Sequence, residues 1–477
     1  MKMISKILAI LIIAVLGFSG CDGQSDESSI ISDVSVTVGD TSQKEVPEIE
    51  KISRTEKSNT ESSKQNTLES SEQISNEKSS VEISEKSSEV TETESSYDES
   101  SEISVESSEE VSEEIQSEPE KDIDESVVYG FNEKYFVKKL DANMLKAFLK
   151  IYDAVQHFEM TAKFTAIPSD DLDMLMFLLN YDCPELIQLN GDYSPIYTDE
   201  SEKYTSGVYF TYNMSETEYK NNIDELHEFF EKLKTDVVDM SELEKEKYVY
   251  DMILDKCVYD DTNAYSGTVW GTLINRVGRC EGICKSFMWC MRELGIECMC
   301  VSGVPKWDND SVYAGHSWDI VNINGQYYQL DLTIDDMKEY LSDEPHANYG
   351  FFNVNDEFNN KTHEMYDFYK ILGVPECTSE DVNYHKMNDL FVYADGDIEQ
   401  QVKKILENNF SEGIIDHVSV KFEDIAALNN AYAHIDEWIK EFFEEKGMSI
   451  CESDIQSDKV CQTITVYAEG SEECTAE

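Results

Sequence analysis

Three residues in the second half of this 477-residue chain, Cys280, His316 and Asp331, are of the types that carry out nucleophilic acyl transfer. A thiol attacks best as its thiolate, an imidazole can take the thiol proton and return it later, and a carboxylate can hold the imidazole in one tautomer. Such a set would attack a carboxamide or peptide carbonyl through sulfur and expel the amine, leaving a thioester for water or a second amine to resolve. Taken singly, none is diagnostic. One cysteine among 12 is most simply a core residue, and a histidine beside a carboxylate is as readily a structural hydrogen bond as an acid/base pair. Their meaning depends on the elements that hold them.

Cys280 stands in NRVGRCEGICKSF, where Gly278-Arg279 reads as an entry turn and a helix is predicted from about Glu281 to Leu294. Its inward stripe is Ile283, Phe287, Cys290 and Leu294, with Gly295 as the C-terminal cap. At the first turn, the macrodipole and the free N–H groups favour a thiolate and can hold an oxyanion. The pattern then changes to strands at Glu297–Gly303, His316–Ile323 and Gln326–Thr333, the last two separated only by Asn324-Gly325, a strong hairpin signal. A two-residue loop pairs Ile323 with Gln326, hence Trp318 with Asp331 and His316 with Thr333. His316 and Asp331 then lie diagonally on one face, within reach of each other.

These residues carry a resemblance. WGTLINRVGRCEGICKSFMWCMRELGIECMCVSG followed by AGHSWDIVNINGQYYQLDLT is similar to the core of the transglutaminase-like superfamily: a cysteine at a helix start, a His-x-Trp strand and an Asp-x-Thr strand. The likeness extends upstream to VYDMILDKCVYDD, downstream to FFNVNDEF and more weakly back to NYDCPEL, covering most of Tyr135 to Cys377. It implies an α+β fold with a papain-like core, in which a helix bearing the cysteine packs on an antiparallel sheet bearing His and Asp. It also implies Cys280 as nucleophile, His316 as general base and acid, and Asp331 as the group orienting His316. Some members of the superfamily add an upstream side chain to the oxyanion hole; Tyr259 and Trp270 are the two candidates, and spacing does not choose between them. The triad serves water and amine acceptors alike, so peptidase, amidase and transamidase all fit.

The remaining cysteines include no Cys-x-x-Cys pair, and neither a metal nor a cofactor is expected. Cys284 falls one turn after Cys280 and reads as a core residue rather than a resolving thiol; Cys298 and Cys300 share a strand face and also read as core. Asp308 and Asp310 lack a calcium-loop pattern. His157, His227, His346, His363 and His434 read as surface or core residues.

Ninety-nine acidic side chains against 38 basic ones give a formal net charge of -61, which argues against a nucleic-acid partner and disfavours anionic membrane surfaces. The acidic exterior weakly favours basic or neutral acyl donors. Residues 1–20 read as an export signal: Lys2 and Lys6, an apolar run from Ile7 to Val15, then small residues. Phe18-Ser19-Gly20-Cys21 resembles a bacterial lipoprotein cleavage box, so Cys21 is expected to be lipidated and to be the sole membrane contact, placing the protein on the outer face of the bacterial cytoplasmic membrane and extending into the cell wall. The rest of 21–125 is rich in Ser and Glu and too poor in apolar residues to offset ordering entropy, so it reads as a disordered linker. Residues 126–377 are expected to form the catalytic domain and 378–477 a small α/β accessory unit. Its predicted elements are a helix at Asp397–Asn408, a strand at Ile414–Phe422, a helix at Asp424–Lys446 and a strand at Val460–Ala468. The expected substrate is a peptide, protein or peptidoglycan-type polymer. A second reading is a surface module that binds such polymers in a papain-like cleft without turnover; the presence of all three residue types favours the enzyme.

Overall fold

The computed structural model of the chain describes residues 124–306, 315–336 and 347–472. The expected export segment, Cys21 and the acidic segment up to residue 123 lie outside the described residues, as do Asp308, Asp310 and His346.

Helix α1 (Ala142–Gln156) starts where the Asp141 carboxylate accepts the N–H groups of Asn143 and Met144. With α2 (Ser169–Tyr181) it packs on an antiparallel sheet, ordered β1-β3-β2, of β1 (Thr161–Pro168), β2 (Leu189–Tyr197) and β3 (Tyr204–Tyr212). After α3 (Glu216–Asp236), helix α4 (Glu242–Lys256) opens on a capping box, in which Ser241 Oγ and the Glu244 carboxylate each accept the other residue's backbone N–H. Short β4 (Val258–Tyr259), α5 (Val269–Leu273) and β5 (Val277–Gly278) lead into α6 (Cys280–Glu293). Gly295 follows at φ +76°, the left-handed conformation that lets a helix stop there.

The central sheet is antiparallel and ordered β8-β7-β6-β9: β6 (Cys298–Pro305), β7 (His316–Ile323), β8 (Gln326–Leu330) and β9 (His363–Met365). Asn324 and Gly325 take φ +54° and +83°, and Ile323 pairs with Gln326 in the register expected of such a turn. One expectation needs correction. The strand predicted to reach Thr333 stops at Leu330, because the Asp331 carboxylate accepts the N–H groups of Thr333 and Ile334 and so begins α7 (Leu332–Asp335) instead. A further short helix, α8 (Asp356–Asn359), precedes β9.

This sheet is covered on both sides, which is why seven of the eight residues of HSWDIVNI are buried. Cys298, Cys300, Val321, Ile323, Tyr328 and Leu330 join the core made with α3, α4 and α6; Met299, Val301, Trp318 and Ile320 join the core made with α1, α2 and β1–β3. Cys290, Phe287 and Ile283 of α6 are buried as the apolar stripe requires, whereas Leu294 is only partly covered.

After α9 (Asp367–Leu372) and α10 (Tyr384–Met387) comes a mixed sheet with its own core: β10 (Phe391–Val392), α11 (Ile398–Asn409), β11 (Phe410–Ser411), β12 (Ile414–Phe422), α12 (Ile425–Glu445), β13 (Ser449–Asp458) and β14 (Thr463–Ser471). The strand order is β10-β12-β14-β13, with β11 beside β12. The expected strand at Val460–Ala468 lies three residues later, since Asp458 Oδ1 draws the N–H groups of Val460 and Cys461 into a turn. Strand β13, missed in the sequence, is a polar edge strand without buried residues. Lys421 of β12 donates to the carbonyls of Gly350 and Cys461, and Ser419 to that of Asn348, so this sheet is hydrogen-bonded to the segment that follows α7.

Glu246 of α4 is fully buried. Its Oε2 accepts from Asn353 Nδ2 at 3.0 Å, and its Oε1 has no partner among the described residues. Burial pushes this carboxyl up to about 8, against a small opposing pull from the Asn353 hydrogen bond. The folded chain thus keeps a proton that the unfolded chain gives up near pH ~4.3, and stability falls as pH rises between those two values. Glu246→Gln should abolish that slope, gaining up to about 3 kcal/mol over the parent at pH 7 and nothing at pH 4. Urea unfolding of both proteins across this range checks it; parallel pH profiles would refute it.

Candidate active site

The segment entering α6 is held by backbone pairing. Val258 and Tyr259 lie parallel to Val277 and Gly278, Asp260 N–H donates to Gly278 O at 3.0 Å, and Arg279 N–H donates to Ser266 O at 3.0 Å. Arg279 is the N-cap, extended at φ -105°, so Cys280 is the first helical residue. That is one position earlier than the sequence suggested, and it puts Cys280 in the first turn, whose backbone N–H groups have no intrahelical partners. Gly282 lets this turn sit close to its neighbour: a Cβ there would come 2.0 Å from the Ser266 carbonyl oxygen. Glu281 is clamped by Lys285 at 2.9 Å, Arg279 at 2.6 Å and Asn180 Nδ2 at 2.8 Å. Burial alone would raise its carboxyl, but the Lys285 and Arg279 charges outweigh it and bring the group down to about 2.

His316 is the first residue of β7 and Asp331 the first beyond β8. His316 Nε2 lies 2.5 Å from Asp331 Oδ2, and Cys280 lies near the ring. Burial pulls the His316 ring down, yet the charge and hydrogen bond of Asp331, helped by neighbouring Cys280, push it up to about 10. Burial would likewise raise Asp331, but His316 and the hydrogen bond from His363 hold its carboxyl well below the usual range. The structure therefore brings Cys280, His316 and Asp331 together, with His316 hydrogen-bonded to Asp331 and next to Cys280.

His363, read from sequence as an isolated surface or core histidine, is the residue missed. It is buried, and its Nε2 lies 3.1 Å from the same Asp331 Oδ2. No spacing signal could have found it, because the contact depends on β9 joining the sheet beside β6, three strands away in order from β8. Trp318 packs beside both histidines, with ring centroids 6.2 Å from His316 and 4.7 Å from His363.

Of the two oxyanion candidates, the structure brings only Tyr259 to the cysteine. The Tyr259 phenol lies near Cys280, and burial with that neighbour pushes it up to about 12, so it keeps a proton to donate. Trp270 is set aside: its indole N–H donates to Glu225 at 2.7 Å and its ring packs against Tyr265. Cys284 is buried with its thiol donating to the Trp318 carbonyl at 3.1 Å. Among the described cysteines nine carry free thiols and Cys451 is disulfide-bonded. Ligand atoms of Cys284, Cys300 and Asp319, and of His316, Asp331 and His363, come within 4.8 Å of one another, a proximity created by the fold rather than by any sequence spacing. Two surface cavities, of about 270 and 160 Å³, are lined by other residues and touch none of Cys280, His316 and Asp331.

A helix that begins at a cysteine, packed on an antiparallel sheet that presents a His–Asp pair, is a papain-like arrangement. Residues 231–332 match the family model of the transglutaminase-like superfamily, so the chain carries a domain of that superfamily, whose members are typically cysteine peptidases or transglutaminases. Two solved structures are similar over part of the chain. One is described as a putative cysteine protease from Cytophaga hutchinsonii, 14% identical over 30% of this chain and 61% of that one, with a TM-score of 0.20. The other is described as a TGase, 13% identical over 30% of this chain and 44% of that one, with a TM-score of 0.21. The chain thus spans less than two thirds of either. No curated protein sequence matches it.

Proposed function

We propose that the protein is a cell-surface cysteine-dependent acyl-transfer enzyme, anchored through a lipid on Cys21, that acts on peptide or carboxamide bonds of a peptide, protein or peptidoglycan-type substrate. The observation that carries the reading is the meeting of Cys280, at the first turn of α6, with a His316 ring that is hydrogen-bonded to Asp331. Cys280 Sγ attacks the carbonyl carbon, and the carbonyl π pair moves to oxygen, which the first-turn N–H groups of α6 and the Tyr259 hydroxyl stabilise. The C–N bond then breaks, the His316 proton passes to the leaving amine, and a thioester remains. Water or an amine adds to the thioester, gives a proton to His316, and frees the sulfur. The match of residues 231–332 to the superfamily's model supports the cysteine chemistry.

The test is mass-spectrometric mapping of an electrophilic acyl probe on the full chain, followed by peptide turnover with and without added amine. The adduct should fall on Cys280, with buried Cys284 and Cys290 unmodified. Labelling of Cys284 or Cys290 ahead of Cys280 would overturn the assignment. Products that incorporate the amine would mark a transamidase, and carboxylate products a hydrolase.

A further inference from the structure

Four N–H donors converge on the Asp331 carboxylate. Oδ1 accepts the backbone N–H of Thr333 at 2.9 Å and of Ile334 at 3.2 Å, while Oδ2 faces His316 Nε2 at 2.5 Å and His363 Nε2 at 3.1 Å. The other ring nitrogen of His363 lies 3.0 Å from the Thr362 hydroxyl and 3.3 Å from the Asn359 carbonyl. Burial lowers the His363 ring's affinity for a second proton. The Thr362 hydroxyl also donates to the Asn359 carbonyl at 3.2 Å, so the tautomer is set at the other nitrogen: an ionised Asp331 can only accept, and the ring proton of neutral His363 sits on Nε2, pointed at it. The ring cannot swing away: Trp318 covers it at 4.7 Å between centroids and Phe351 at 5.1 Å.

We propose that His363 is a positioning residue for Cys280 chemistry, its Nε2–H fixing the Asp331 carboxylate in the orientation that grips His316 and sharing the charge that His316 would otherwise have to itself. The proposal rests on the acyl-transfer reading and deepens it. The sharing has a direction. A carboxylate oxygen that gives part of its charge to a second donor holds the first donor's proton less tightly, so His363 moderates how strongly Asp331 keeps His316 protonated. The other titratable groups around this cluster are Cys280 on the far side of His316, Asp319 on β7, and Asp335 on α7 with Lys421 behind it.

The experiment needs no substrate. The rate of Cys280 alkylation by iodoacetamide, followed peptide by peptide in the full chain, is measured from pH 5 to 11 for the parent, His363→Phe and His363→Gln. Phenylalanine keeps the packing against Trp318 and Phe351 but gives no hydrogen bond; glutamine restores an N–H. The alkaline limb, where His316 loses its proton, should move up by about one pH unit in His363→Phe and return to within about 0.3 unit of the parent in His363→Gln. A folded His363→Phe with an unshifted limb overturns the proposal, since a residue that only fills space would lower the melting temperature without moving it. If His363→Phe does not fold, ¹⁵N shifts of the parent's histidines decide: an Nε2–H neutral His363 at pH 7 supports the proposal and an Nδ1–H form refutes it. A parent whose Cys280 reacts no faster than the buried thiols would instead refute the acyl-transfer reading, and the ¹⁵N shifts would still report on His363.

Discussion

Cys280→Ser should abolish capture of the acyl probe and lower amide turnover by at least about 10⁴-fold, leaving the unfolding transition close to that of the parent. Cys280 is only partly buried and stands at the first residue of α6, where its side chain meets His316 rather than the apolar core. Serine fills nearly the same volume, so packing is kept, but its hydroxyl holds its proton far more firmly than a thiol. His316→Ala should cost nearly as much, because the sulfur then loses its proton partner and the leaving amine loses its acid. Turnover of Cys280→Ser within a factor of ten of the parent would show that the sulfur does no chemistry.

Asp331→Asn should reduce turnover by about 10³- to 10⁴-fold while reducing probe labelling less than His316→Ala does. An amide has one acceptor and one donor end where Asp331 offers two acceptors. If the oxygen stays on Thr333 and Ile334, the NH₂ group faces both histidines, and each ring must move its proton to Nδ1. His316 would then present an N–H to Cys280 instead of a nitrogen able to accept. If the amide turns over, the NH₂ group meets two backbone N–H groups. The pH profile supplies a sign as well: without the Asp331 charge, the burial that already pulls His316 down acts unopposed, so the alkaline limb of Cys280 alkylation should fall from near 10 toward neutrality. This is opposite to the shift expected for His363→Phe. In the parent, Asp331 is lowered and His316 raised on folding, so the pair's contribution to stability is complete between about pH 4 and 6.5, fading as acid titrates Asp331 and as base titrates His316.

What could be read from sequence was what depends on neighbours along the chain. The α6 helix, its capping glycine and the Asn324-Gly325 hairpin are local signals, and their register was enough to bring His316 and Asp331 to one face. The capping box at Ser241 and Glu244 was legible for the same reason. Asp331 was placed correctly but in the wrong element, because its own carboxylate competes for the N–H groups of Thr333 and Ile334 and ends the strand. The sheet of β1, β2 and β3 went unread. β2 contains Gly191 and Pro195, and the burial of β1 and β3 does not follow simple alternation, so neither offered a clear period-two pattern. His363 and the choice of Tyr259 over Trp270 rest on contacts between segments far apart in sequence, for which no spacing rule exists.

The clamp of Arg279, Lys285 and Asn180 around Glu281 sets how the site experiences the rest of the molecule. A chain with a formal net charge of -61 surrounds itself with a counterion atmosphere, and charges separated by more than about 8 Å are largely hidden from each other at 0.15 M salt. The acid beside Cys280 has its countercharges supplied by the fold itself, held at contact distance. On the acyl-transfer reading proposed above, ionic strength would therefore act on the approach of a charged substrate across the acidic exterior much more than on the reaction once it is bound, so that binding and chemistry respond to salt on separate scales.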